Sequence, residues 1–146
     1  NMIVLFSFGQ AVEQNFAAME NQGMIGSSTL HFFILYFAGM IIATSTTIRK
    51  HKDNYNYNAI GASGAVSAVV FSSIFFSPLS TLLLMGIIPI PAIVFGVLYL
   101  LYSQYMRKRS GDNVNHDAHF VGAVFGFIYP IILEPRLIEA FFNQFF

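Results

Sequence analysis

Residues 54–106 read NYNYNAIGASGAVSAVVFSSIFFSPLSTLLLMGIIPIPAIVFGVLYLLYSQYM, without a single Asp, Glu, Lys or Arg. A helix that crosses a bilayer takes about 20 mainly apolar residues. The stretch is too long for one crossing and predicts two, joined by a turn. Ser77-Pro78 marks that turn, because a proline disfavours helix in the residue before it. Leu79 to Ile90 is apolar but interrupted by Gly86 and Pro89, which predicts an irregular connection near the membrane surface. Pro91 suits the first turn of the next helix, where its missing N–H costs nothing. That helix is expected to run to about Met106.

The flanks extend the same pattern. Asn21 to Ile48 also lacks the four charged residue types, and its apolar part, Leu30 to Ile48, predicts one span. Arg49-Lys50-His51-Lys52-Asp53 closes it. On the other side, Arg107-Lys108-Arg109 and the polar loop Ser110 to Asn115 precede a last helix, expected from about His116 to Leu133 and closed by Glu134-Pro135. Asn1 to about Phe16 reads as the end of a further helix, with Glu13 and Glu20 on the surface of the loop that follows. This beginning is apolar but lacks the basic n-region of a signal peptide. It starts in mid-helix without a cap, so a fragment with a missing upstream part is expected. The predicted architecture is one domain over residues 1–146. It is an all-α polytopic membrane helix bundle of four spans and a partial one, around a small water-filled site.

Composition agrees with lipid as the solvent. The chain is 55% hydrophobic and 10% charged, where soluble domains carry about 25% charged residues. Its net charge is zero, which gives no electrostatic footprint for nucleic acid. The absence of Cys excludes disulfides, thiolate chemistry and Cys-ligated zinc.

Parity brings two distant residues to one level. The loops 49–58 and 107–117 are separated by two spans and therefore share a membrane side. Ser63 lies ten positions after Asp53, and His119 ten after Arg109. At a rise of ~1.5 Å per residue, both sit two to three turns below that surface. Gly61-Ala62-Ser63-Gly64 opens a helix, where backbone N–H groups lack intrahelical partners and can stabilise an oxyanion. The same small residues are also ordinary at membrane helix interfaces, and packing alone would account for them. His119, Gly122 and Gly126 share one helix face. The glycines form a close-packing stripe that would carry His119 into an interface. An ionisable residue inside a span is costly and commonly functional, although a hydrogen-bonded core histidine is the plainer alternative. Together the two residues offer a nucleophile and a general base at matched depth. Asp117, two positions from His119, points to another face. The reading is therefore a Ser–His dyad whose orienter is a backbone group, a packed side chain or water.

Other candidates carry less. His116 is expected to be solvated at the helix mouth, His31 to be structural, and His51 to lie in a charged loop. His116 and His119 lack a third metal ligand, so neither a metal nor a cofactor is expected. Tyr55 and Tyr57 suit an interfacial anchor.

These residues resemble the rhomboid intramembrane serine proteases. Gly61-Ala62-Ser63-Gly64-Ala65 looks like that family's nucleophile motif at the start of its fourth helix. Asn115-His116-Asp117-Ala118-His119-Phe120-Val121-Gly122-Ala123-Val124-Phe125-Gly126 is similar to its sixth-helix motif, with His119 as the base. Asn1, Leu5, Phe8-Gly9 and Glu13 look like the end of its second helix, with Asn1 at the place of the oxyanion-binding asparagine. Pro89-Ile90-Pro91-Ala92 resembles the entry into its fifth helix. The resemblance covers helices two to six. The family's first helix, the loop after it, and the histidine one turn before the asparagine are not in the sequence. Many members carry an aromatic residue four positions after the serine, packed on the base. Here that position is Ser67.

The resemblance implies an endopeptidase that cleaves transmembrane protein substrates within the lipid bilayer. Ser63 would be the nucleophile and His119 the base. The Ser63 backbone N–H and the Asn1 side chain would hold the oxyanion. The loop 110–117 could form a lid, and the helix that follows Pro91 could move to admit substrate. It also implies a site open to the extracytoplasmic side, in a bacterial plasma membrane. The positive-inside rule would instead place Arg49, Lys50, Lys52 and Arg107 to Arg109 in the cytoplasm, and the resemblance is followed here. A catalytically silent relative that binds transmembrane helices is the alternative, with retention of Ser63 and His119 against it. A channel or transporter would need charges along its spans, and these spans have none.

Overall fold

The computed structural model describes residues 1–52, 62–84, 87–106 and 115–146. In chain order these form α1 (Met2–Asn21), α2 (Ser28–His51), α3 (Ala62–Phe76), β1 (Thr81–Leu84), β2 (Ile88–Pro91), α4 (Ala92–Met106), α5 (His116–Leu133) and α6 (Leu137–Phe142). The expected helix bundle is present. Gly61, Tyr55, Tyr57, the charged residue Asp53 and the loop residues 107–114 lie outside the described residues, so the lid expected at 110–117 is described only from Asn115 on.

The five long helices alternate in direction. Gly39 and Ala43 of α2 meet Ala68 and Gly64 of α3 in reverse order, so these two helices are antiparallel. Gly122 and Gly126 of α5 meet Gly64 and Ala68 in the same order, so α3 and α5 are parallel. Phe16, near the end of α1, meets Phe76, the last residue of α3, which aligns α1 with α3 as well. Gly96 and Tyr99 of α4 meet Ile74 and Ser67 of α3 in reverse order. Thus α1, α3 and α5 run one way, and α2 and α4 the other.

α3 is the axis of the bundle. From Gly64 to Phe75 every residue but Ser73 is buried. A helix apolar on all sides belongs inside, not at a polar surface. At ~1.5 Å per residue, its 15 residues extend about 22 Å, less than the ~30 Å of a bilayer core. Enclosure by neighbouring helices removes the need to match that thickness. α2 and α5 are long and apolar enough to cross a membrane unaided. The outer faces are apolar too: Phe33, Ile41, Val97, Leu101 and Ile132 are all exposed. So large an unpartnered apolar surface needs lipid rather than water.

Three connections differ from the expectation. α1 continues five residues past Phe16, so Glu13 and Glu20 lie on a helix and not in a loop. Glu20 remains useful at the turn, where its carboxylate accepts a 2.8 Å hydrogen bond from the Ser28 N–H. Gly23 makes that turn at φ 70°, a backbone region that favours glycine. The connection expected to be irregular over 79–90 contains an antiparallel hairpin, with Leu82 opposite Ile90 and Leu83 opposite Pro89. In a two-stranded hairpin both strands are edges, where proline is tolerated, so Pro89 stands within β2 and does not break it. Pro91 accordingly ends β2, and α4 begins one residue later. The N–H groups of Ala92 and Ile93 donate to the Ser80 and Pro78 carbonyls, both at 2.8 Å. These bonds satisfy two donors that a helix start leaves unpaired.

Candidate active site

Two glycines bring α3 and α5 into backbone contact. A Cβ built on Gly122 would fall on the Gly64 carbonyl, and one on Gly126 would fall on the Ala68 carbonyl. Gly64 is itself pressed between Ala43 of α2 and the Ala118 carbonyl of α5, the latter 3.2 Å from a Cβ at Gly64. Only residues without a side chain permit this approach. Ser63 precedes Gly64, and His119 follows Ala118 one turn before Gly122. The crossing therefore sets Ser63 and His119 at one level of adjacent parallel helices. Both are half-buried. Ser63 is the second residue of α3, in the turn whose N–H groups lack intrahelical acceptors.

α5 is anchored where it starts. The Asn115 side chain caps it, accepting from the Ala118 N–H at 3.1 Å. The same side chain donates to Thr47 Oγ1 of α2 at 2.6 Å. Thr47 in turn donates to the Ala43 carbonyl at 3.1 Å. The register of His119 is thus tied to α2 as well as to α3.

The surroundings of His119 are aromatic. Its ring stacks on Tyr99 of α4, with centroids 6.3 Å apart and planes at 22°. His116 meets it edge-on at 6.2 Å. The Tyr99 hydroxyl lies 3.0 Å from Ser67 Oγ, one turn beyond Ser63 on α3. Asp117 is two positions from His119 and half-buried.

His116 requires a correction. It is buried, not solvated, because α4 runs back along the start of α5 and Tyr102 packs edge-on against its ring at 5.7 Å. His31 sits toward the opposite end. Its Nδ1 lies 3.0 Å from the Tyr129 hydroxyl, and Phe16 packs on both rings. Asn1 caps α1 without a side-chain hydrogen bond and is exposed. Because α1 parallels α3, with Phe16 against Phe76 at their far ends, Asn1 lies toward the Ser63 end. Gly122 and Gly126 stand at the contact of α5 with α3. Among the described residues no three His, Asp or Glu side chains gather to hold a metal.

The rhomboid domain family model matches residues 1–136. The chain belongs to the rhomboid family. It is therefore a membrane protein. A curated relative in Arabidopsis thaliana, RHOMBOID-like protein 12, mitochondrial, is 34% identical over 131 residues. The alignment covers 84% of this chain and 38% of the relative, so this rhomboid chain spans well under half of that protein's length. The mitochondrial label of the relative lends no support to a bacterial plasma membrane. No solved structure matches the chain.

Sequence reasoning missed Tyr99. A signal was available: Ala92, Gly96 and Ser103 are the buried residues of α4. Tyr99 completes their i, i+4, i+7, i+11 stripe and is the aromatic residue on it.

Proposed function

We propose that this rhomboid domain, residues 1–146, is the catalytic part of an intramembrane serine endopeptidase that hydrolyses peptide bonds in or near transmembrane segments. Ser63 Oγ attacks the scissile carbonyl and His119 accepts its proton. The Ser63 N–H and the Asn1 side-chain amide donate to the resulting oxyanion. When the C–N bond breaks, His119 gives that proton to the leaving amine. Water then attacks the acyl-Ser63 ester, His119 takes the water's proton, and release of the acid returns a proton to Ser63.

The observation that supports this reading is the backbone contact of α3 with α5, which levels a serine at a helix start with a histidine on the neighbouring helix. Pure packing would need the glycines but neither Ser63 nor His119. The face carrying loops 49–58 and 107–117 is the substrate-accessible, extracytoplasmic side, and added protease will cut there in intact vesicles. Protection of the 107–117 loop would reverse the orientation.

The test is covalent labelling of the full-length membrane protein with a fluorophosphonate. Labelling is expected, and Ser63→Ala is expected to abolish it. Labelling that persists in Ser63→Ala would place the reactive serine elsewhere. No labelling of the unmutated protein would favour a rhomboid-like protein that binds transmembrane helices without cutting them.

A further inference from the structure

The proposed pair of Ser63 and His119 includes no carboxylate, and a general base must be held within hydrogen-bond reach of its nucleophile. An imidazole left to itself samples several staggered rotamers. Tyr99 is the group that limits this freedom. Its ring lies nearly parallel to that of His119, at 22° and 6.3 Å. It is itself held on several sides. Phe95, one turn earlier on α4, stacks on it at 6.0 Å, and Phe71 of α3 tilts onto it at 5.6 Å. Its hydroxyl meets Ser67 Oγ at 3.0 Å.

Resting on the dyad reading above, we infer that Tyr99 is a positioning residue for His119 and that Ser67 is its anchor. Ser67 and Ser63 are four residues apart and occupy one face of α3. The helix that carries the nucleophile therefore also fixes the ring on which the base leans. Placement of the base relative to the nucleophile is relayed through a third helix, α4. Movement of α4 would carry Tyr99 with it and release His119.

The readout is fluorophosphonate labelling of the full-length protein, resolved into its maximal rate and its half-saturating concentration. Tyr99→Leu is expected to slow the maximal rate roughly tenfold, the worth of a strong aromatic contact, with half-saturation unchanged. Tyr99→Phe keeps the stacked ring and is expected to restore the rate to within about threefold. Ser67→Ala should match Tyr99→Phe, and the double variant should be no slower than either, because one hydrogen bond is being removed twice. A Tyr99→Leu protein that labels at the unmutated rate, while Ser63→Ala does not label, overturns the assignment of Tyr99 alone. Labelling that survives Ser63→Ala overturns the dyad on which it rests. Should Tyr99→Leu fail to fold, additive losses in Ser67→Ala and Tyr99→Phe would still refute the anchor.

Discussion

His31 and His119 stand near opposite ends of the same bundle, and each keeps company with a tyrosine. His31 is held by a ring nitrogen, 3.0 Å from the Tyr129 hydroxyl. His119 is held by its face, against the Tyr99 ring, while the Tyr99 hydroxyl turns to Ser67. Under the proposed dyad, the difference separates a structural histidine from a catalytic one. A nitrogen bonded to a buried tyrosine serves to satisfy two polar groups in an apolar core. On that proposal, an imidazole held by its face has its nitrogens left for proton transfer. In both places the protein uses an aromatic ring and a hydroxyl, but it connects them in opposite order.

The strongest way to break this contrast is to remove each ring. His119→Ala is expected to lower turnover of a transmembrane peptide by about a thousandfold or more. His31→Ala should leave turnover nearly unchanged and cost about 1 kcal/mol of stability. Equal effects on turnover would erase the distinction. Next in size is the helix crossing beside His119. Gly126→Ala drives a Cβ into the Ala68 carbonyl, a backbone group that cannot move aside cheaply. A loss of about 3 kcal/mol in denaturant titration is expected. Gly26→Ala, with no heavy atom near the added Cβ, should be almost neutral.

A smaller effect sharpens the far end. Tyr129→Phe removes one hydroxyl and leaves His31 without its partner there. A loss of about 1 kcal/mol is expected, with turnover unaffected. The smallest concerns the pair just past α5, an exposed Arg136 and a half-buried Glu134. The hydrogen bond from the Arg136 guanidinium holds the Glu134 carboxyl down to about 2, from an ordinary value of 4.5. A depressed carboxyl stabilises the fold fully above its ordinary value, and the contribution fades as pH falls through about 2. The melting difference between the unmutated protein and Arg136→Ala should therefore be slight at neutral pH and vanish on acidification. A difference that grows with acid would refute the pair's role.

Much of the fold was legible because membrane helices announce themselves locally. The charge-free run 54–106, the break at Ser77-Pro78 and the start at His116 all rest on properties of neighbouring residues. The hairpin was not legible, because pairing of Leu82 with Ile90 depends on a register between strands. The burial of His116 was equally hidden, since the residue that covers it, Tyr102, belongs to another helix. At the candidate site, Ser63, His119 and the two glycines could be named from spacing and motif. Ser67 could be named only as a departure, for its partner lies on α4.

The sequence by itself determined that this chain is a bundle of membrane helices, and that a serine and a histidine sit at matched depth among small residues. Both follow from hydropathy and rise per residue, which are local quantities. Tertiary structure alone decided which faces meet: Gly122 on Gly64, Tyr99 on His119, Tyr129 on His31. Such contacts depend on the rotation and close approach of helices, and those are settled by the packing of all the helices at once.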